Sequence, residues 1–113
     1  MRLARIILFV RNVAEVAEFY QKFFAMEPQP GASADWVELA GPGGNIAVHK
    51  AHGGAHPGPA SPVKIVFYCD NIEAAKQSFS EQGLVFGKTH SYGELQFADA
   101  VDPAGNPIQI SNR

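Results

Sequence analysis

Two cations, three aromatic rings and a few carboxylate, imidazole and amide side chains fall on what strand alternation makes one face, with the chemistry to hold a flat, partly anionic molecule. Arg5 and Lys64 each open an apolar run of strand length. Successive side chains of a strand point to opposite faces, so if Ile6, Leu8 and Val10 lie beneath a helix, Arg5, Ile7 and Phe9 look the other way. The same rule selects Lys64, Val66 and Tyr68, then Trp36 with Glu38, Ala47 with His49, and Gln109 with Ser111. Phe9, Trp36 and Tyr68 can stack on a planar ligand, while Arg5, Lys64, Glu38, His49 and Gln109 orient it. The two cations ask for a carboxylate, phenolate or phosphate group on that ligand. The same charges also have a structural reading, in which Arg5 and Lys64 pair with Glu38 or another acid and fill the face with a salt bridge.

Other reactive side chains are less organised. His49, His52 and His56 offer three imidazoles that could in principle ligate zinc or nickel. No helix aligns them, however, and His52 and His56 fall in a Gly/Pro-rich stretch whose ordering would cost entropy, so a solvated loop is the favoured reading. His49 by itself is a better candidate for a general base or hydrogen-bond donor, although a strand histidine that is merely satisfied is the favoured reading. His90, near Tyr92 and Gly93, reads as a loop residue. Cys69 ends an apolar strand and reads as a buried thiol, since no electropositive partner can be assigned to it. No Ser-His-Asp order is evident, and the Gly41 to Gly44 string does not open a helix, so it is a hairpin turn rather than a phosphate-binding loop.

Composition narrows the function classes. The 113 residues, 46% hydrophobic and 18% charged, match an ordinary globular protein of one domain, here spanning 1–113. A net charge of −2 without a basic patch argues against nucleic acid or an anionic membrane as partner. The apolar stretch from Ile6 to Val10 is too short for a signal core or a membrane span. One cysteine excludes an internal disulfide framework and fits a reducing compartment, so a cytoplasmic location is expected.

The elements that must position the face repeat. At an offset of 59 residues, Arg5 to Val13 falls on Lys64 to Ile72. In both copies a cation, an apolar run and an Asn precede a helical stretch. At an offset of 61, Gly41-Pro42-Gly43-Gly44-Asn45 falls on Asp102-Pro103-Ala104-Gly105-Asn106, each turn leading into a short strand. Asn12 supplies a helix cap with Glu15 three residues on, and Val13, Val16, Ala17, Tyr20, Phe23 and Phe24 recur at helical spacing until Pro28 and Pro30 forbid continuation. The second helix runs through Ile72, Ala75 and Phe79 to Gly83, a C-terminal glycine. Strands are predicted at Ile6 to Val10, Trp36 to Leu39, Ile46 to Lys50, Val63 to Cys69, Leu84 to Phe86, Leu95 to Ala100 and Ile108 to Ser111. Repeat 1 covers about 1–50, a Gly/Pro/Ala/His linker 51–62, and repeat 2 about 63–113.

This βαβββ duplication, with its helix-opening Asn, the Phe19-Tyr20 pair and the closing Asp102-Pro103-Ala104-Gly105-Asn106-Pro107-Ile108-Gln109-Ile110, resembles the vicinal oxygen chelate superfamily, which includes glyoxalase I, extradiol dioxygenases, fosfomycin-resistance transferases and bleomycin-resistance proteins. The resemblance implies an α+β fold in which two half-domains form a cupped mixed sheet with helices on the outer face, and a homodimer. Its enzymes hold a divalent metal from the first and last strands of each half, positions that here are Arg5, Ala47, Lys64 and Gln109. Arg stays protonated, Lys would have to lose its proton, Ala has no donor, and one neutral amide oxygen does not make a site. The departure implies a metal-free, cofactor-free binding protein of the bleomycin-resistance type, with Arg5, Phe9, Trp36, Glu38, His49, Lys64, Tyr68 and Gln109 contacting a small-molecule ligand. The alternative is a lyase, isomerase or dioxygenase recruiting a metal through other residues, so whether the chain is an enzyme stays open, as does whether a cup forms within one chain or across a dimer.

Overall fold

The structure, a computed structural model, describes residues 2–51 and 63–113. The histidines His52 and His56 of the predicted linker therefore lie outside the described residues. The chain divides into two compact units, Met1–Gly58 and Pro59–Arg113.

The first unit runs β1 (Arg5–Val10), α1 (Val13–Phe24), β2 (Glu27–Pro28), β3 (Trp36–Gly41) and β4 (Gly44–Lys50). Its four strands order as β1-β4-β3-β2, with β1 parallel to β4 and the other pairs antiparallel. The second unit runs β5 (Ile65–Tyr68), α2 (Ile72–Glu81), β6 (His90–Tyr92), β7 (Leu95–Val101) and β8 (Pro107–Ser111), and orders its strands as β5-β8-β7-β6 with the same directions. The α+β duplication expected from the sequence is thus present as two four-stranded mixed sheets of equal topology.

Alternation decides which side of each sheet is core. Along β1, Leu8 and Val10 are buried while Arg5, Ile7 and Phe9 are exposed. Leu8 and Val10 join Ile46, Val48 and Leu39 beneath α1, whose Val13, Val16, Ala17, Phe19 and Tyr20 are buried. In the second unit Ile65, Ile72, Ala98, Ile108 and Ile110 form the corresponding core. The helices start alike. Asn12 Oδ1 accepts from the Glu15 N–H at 3.2 Å and Asn71 Oδ1 from the Ala74 N–H at 3.0 Å, each satisfying an otherwise orphaned donor.

Helix α1 ends ahead of the two prolines, as expected, and closes on Ala25, which adopts a left-handed φ of 51°. Two expectations are corrected. Leu84 to Phe86 is not a strand: Leu84 and Phe86 are buried and Val85 exposed, so the alternation is real, but the segment packs its apolar side chains without joining a ladder. The ladder position beside β7 belongs instead to His90–Tyr92, a segment read as loop because three residues with a neighbouring glycine carry little pattern. Glu27–Pro28 pairs with β3 in the first unit, equally short and equally silent in the sequence.

Candidate binding faces of the two sheets

The sheet face turned away from α1 is lined in register. Phe9 pairs with His49 and His49 with Trp36 across three adjacent strands, and one step along, Ile7 pairs with Ala47 and Ala47 with Glu38. The first row is aromatic. The His49 ring lies 5.3 Å from Phe9 at a 46° tilt and 5.6 Å from Trp36, edge-on at 85°. His49 Nδ1 sits 2.7 Å from the Lys50 carbonyl oxygen. A carbonyl only accepts, so Nδ1 carries the proton and Nε2 is the acceptor in the neutral ring.

The second row carries one polar side chain, Glu38, and an ion pair ties it to Arg5 at the start of β1. From β1, Arg5 Nε donates to Glu38 Oε1 at 2.9 Å, reaching over β4 to β3. Asn45 Nδ2 donates to the same oxygen at 2.9 Å. These hydrogen bonds, first from Asn45 and then from Arg5, hold the Glu38 carboxyl below its usual range against the opposing effect of burial. Ala47, between Ile7 and Glu38 in the ladder, is fully buried.

The second unit repeats the polar device with different residues. Lys64 Nζ donates to Asp99 Oδ1 at 2.8 Å, and Gln109 Nε2 donates to that same oxygen at 2.9 Å. Burial alone would raise Asp99; the bonds from Lys64 and Gln109, with the charge of Lys64 and of nearby His90, outweigh it and hold the carboxyl low. Three aromatic rings gather on β6 and β7, where Phe97 stacks on His90 at 5.1 Å and 19° and on Tyr92 at 6.1 Å and 13°. Tyr68 is 67% exposed, and its hydroxyl donates to Asp70 Oδ1 at 2.5 Å, which with the Asp70 charge raises its pKa. Cys69 is pushed up by desolvation and by Asp70, so it stays a thiol and is a poor nucleophile.

Of the eight residues read from the sequence, Arg5, Phe9, Trp36, Glu38 and His49 share one face of the first sheet, and Lys64, Tyr68 and Gln109 belong to the second unit. The pairing of both cations with acids, foreseen as their structural reading, is present in each unit. Asn45 and Asp99 were missed. Asp99 had a signal, because the offset of 61 that aligns the two turns also sets Glu38 on Asp99 and Trp36 on Phe97.

The four positions that would hold the superfamily's metal do not fit one. Arg5 and Lys64 are donors bound to carboxylates, Ala47 has no donor atom, and Gln109 supplies one neutral oxygen while its nitrogen serves Asp99. Among the described residues no three of His, Cys, Asp and Glu converge as a ligand set.

A family model, Glyoxalase/Bleomycin resistance protein/Dioxygenase superfamily, matches residues 2–110. Among solved structures the chain is similar to a lactoylglutathione lyase from Agrobacterium tumefaciens, with a TM-score of 0.78 at 16% identity over 97% of this chain and 92% of that one. An integron cassette protein from the mobile metagenome of the Halifax Harbour sewage outfall gives 0.80 at 17% identity, covering 99% and 98%. A possible glyoxalase from Bacillus cereus gives 0.72 at 18% identity, covering 97% of each chain. At these identities the likeness is one of fold. No curated protein matches the sequence.

Proposed function

The chain belongs to the Glyoxalase/Bleomycin resistance protein/Dioxygenase superfamily, and on that premise we propose that it binds a small, planar, partly anionic molecule without a metal. One observation carries the reading. In each unit the cation at a metal-ligand position is committed as a donor to an acid of its own sheet, Arg5 to Glu38 and Lys64 to Asp99. A protonated donor repels a divalent cation and attracts an anion.

Binding would work by stacking and orientation. The Phe9, His49 and Trp36 row supplies an aromatic surface, and Phe9 at 47% exposure leaves much of its ring open to a partner. Arg5 with Glu38 on the first sheet, and separately Lys64 with Gln109 on the second, provide donors and acceptors held in place by their own hydrogen bonds, so little ordering is needed when a ligand arrives. On the second sheet Tyr68 offers an aromatic edge of its own, with its hydroxyl tied to Asp70. The reading extends to a homodimer in the cytoplasm. No helix among the described residues is long and apolar enough to cross a membrane, and exposed Val66, Tyr92 and Val101 are apolar surface that a second copy would cover. Size-exclusion chromatography checks the dimer.

Thermal unfolding with and without divalent metals tests the metal-free reading. A ligand that binds only the folded state raises the melting temperature in proportion to the logarithm of its concentration. Zinc, nickel, manganese and magnesium are expected to leave it unchanged. A saturable rise that disappears in Glu38→Gln or Asp99→Asn would overturn the proposal.

A further inference from the structure

We infer that the first sheet presents an oxyanion fork beside an aromatic shelf, fitted to a monoanionic aromatic carboxylate of about two rings. The inference rests on the reading of this face as a ligand-binding face and names the ligand's class. An arginine has five N–H donors in a rigid plane, and Arg5 uses its Nε on Glu38. Its two terminal nitrogens have no hydrogen-bond or ion-pair partner among the described residues, and the side chain is 42% exposed. The end of the guanidinium is therefore a pair of parallel donors, held in orientation by Glu38, and it matches the two oxygens of a carboxylate.

Charge and spacing narrow the class further. Arg5 and Glu38 together are neutral, so a single negative charge is accommodated by the fork while a doubly charged phosphate ester would also meet the Glu38 carboxylate. Glu38 and Trp36 are two residues apart on β3, about 6.7 Å along the strand, which is the reach of a two-ring acid from its carboxylate to its far ring. Such a molecule would set its anionic end on Arg5 and its rings against Trp36, His49 and Phe9. Lys64, at the corresponding place in the second unit, is a point charge and has no fork.

The sequence has one tryptophan, so one indole N–H resonance reports on this shelf. Titrations with 2-naphthoate, 2-naphthamide and 2-naphthyl phosphate are compared on the full chain by nitrogen-edited NMR. Expected is a saturable shift of the Trp36 resonance with 2-naphthoate, which binds about tenfold tighter than the neutral amide of the same shape. Arg5→Gln should erase that preference. Arg5→Lys, which keeps the charge and loses the fork, should retain only part of it, and it carries the test should the Gln variant not fold. If amide and acid bind equally, the carboxylate assignment falls while the aromatic face stands. Tighter binding of the phosphate ester would overturn the monoanion preference. If no probe moves the resonance, both this inference and the binding role of the face are overturned.

Discussion

Set side by side, the two units solve one electrostatic problem with different residues. In each, a carboxylate on the strand after the short one receives, on a single oxygen, one bond from a cation at or just before the start of the first strand and one from a last-strand amide. The first unit uses Arg5, Glu38 and Asn45, and the second Lys64, Asp99 and Gln109. A methylene has moved from the acid to the amide. The longer Glu38 reaches back to Asn45, opposite Arg5 in the ladder, whereas the shorter Asp99 is met by Gln109 directly opposite it. What persists is the paired, hydrogen-bonded acid, while the amide's position varies. That pattern marks the carboxylate as the group being held.

The aromatic rows diverge more. Phe9, His49 and Trp36 correspond to Tyr68, Ser111 and Phe97, the registers being Phe9 to His49 to Trp36 and Tyr68 to Ser111 to Phe97. The middle ring of the first unit is a small buried hydroxyl in the second, and Phe97 finds its stacking partners on β6 instead. The first unit therefore carries a continuous aromatic shelf beside its ion pair, and the second does not.

The closing turns also differ, and the largest stability effect is expected there. Asp102 is buried and its carboxylate accepts from the Ala104 N–H, the Asn106 N–H and the Asn106 side-chain amide at 2.8 to 2.9 Å. The first unit turns through Pro42-Gly43 between paired Gly41 and Gly44, with no acid. Asp102→Ala strands those donors and should cost about 3 kcal/mol by urea unfolding, whereas Pro42→Ala should cost under about 1 kcal/mol. Equal losses would mean that the buried Asp is not what holds its turn.

Binding should separate the units next. Trp36→Ala is expected to weaken 2-naphthoate binding by about tenfold or more without unfolding the chain, and Tyr68→Ala to leave it unchanged, because Tyr68 belongs to the second sheet and its hydroxyl is held by Asp70. Calorimetric titration measures both. A larger loss in Tyr68→Ala would move the shelf to the second unit.

Acid titration tests the shared device. Glu38 and Asp99 have folded-state pKa values below their ordinary ones, so each contributes stability that is present above about pH 4 and lost as the pH falls through the folded-state value. Asp99→Asn and Glu38→Gln should each flatten the fall in stability below about pH 4, read from urea midpoints across pH. A slope unchanged in both variants would show that other carboxylates carry the acid response.

Much of this comparison was legible in the sequence and part of it was not. The offset of 59 exposed the strand, cap and helix of each repeat, because buried alternation and an Asn cap are local patterns. Arg5, Phe9, Trp36, Glu38 and His49 could be assigned to one face because a strand's period is rigid. The strands at Glu27 and His90 were silent, since two or three residues held in place by a neighbour leave no period of their own. Asn45 and Asp99 were missed for another reason: which acid meets which cation depends on ladder register, and the extra residue in the Asp102 to Asn106 turn shifts the last-strand offset from 61 to 62.

The smallest expected effect concerns the helix ends. Helix α2 closes with Gly83 at a φ of 96°, with the Leu84 N–H bonded to the Phe79 carbonyl and the Gly83 N–H to that of Ser80, while α1 closes on Ala25 at 51°. Gly83→Ala should destabilise by about 1 kcal/mol, since nothing crowds a Cβ there and only the left-handed backbone resists it. Ala25→Gly should stabilise by about 0.5 kcal/mol. Thermal unfolding of the pair gives both signs.

Native mass spectrometry of untagged protein purified without chelators tests the central claim most directly. The account predicts polypeptide that is bare or carries an organic adduct, with no stoichiometric metal. One divalent ion per chain would contradict it, and would mean that the superfamily's metal chemistry persists here on ligands other than Arg5, Ala47, Lys64 and Gln109.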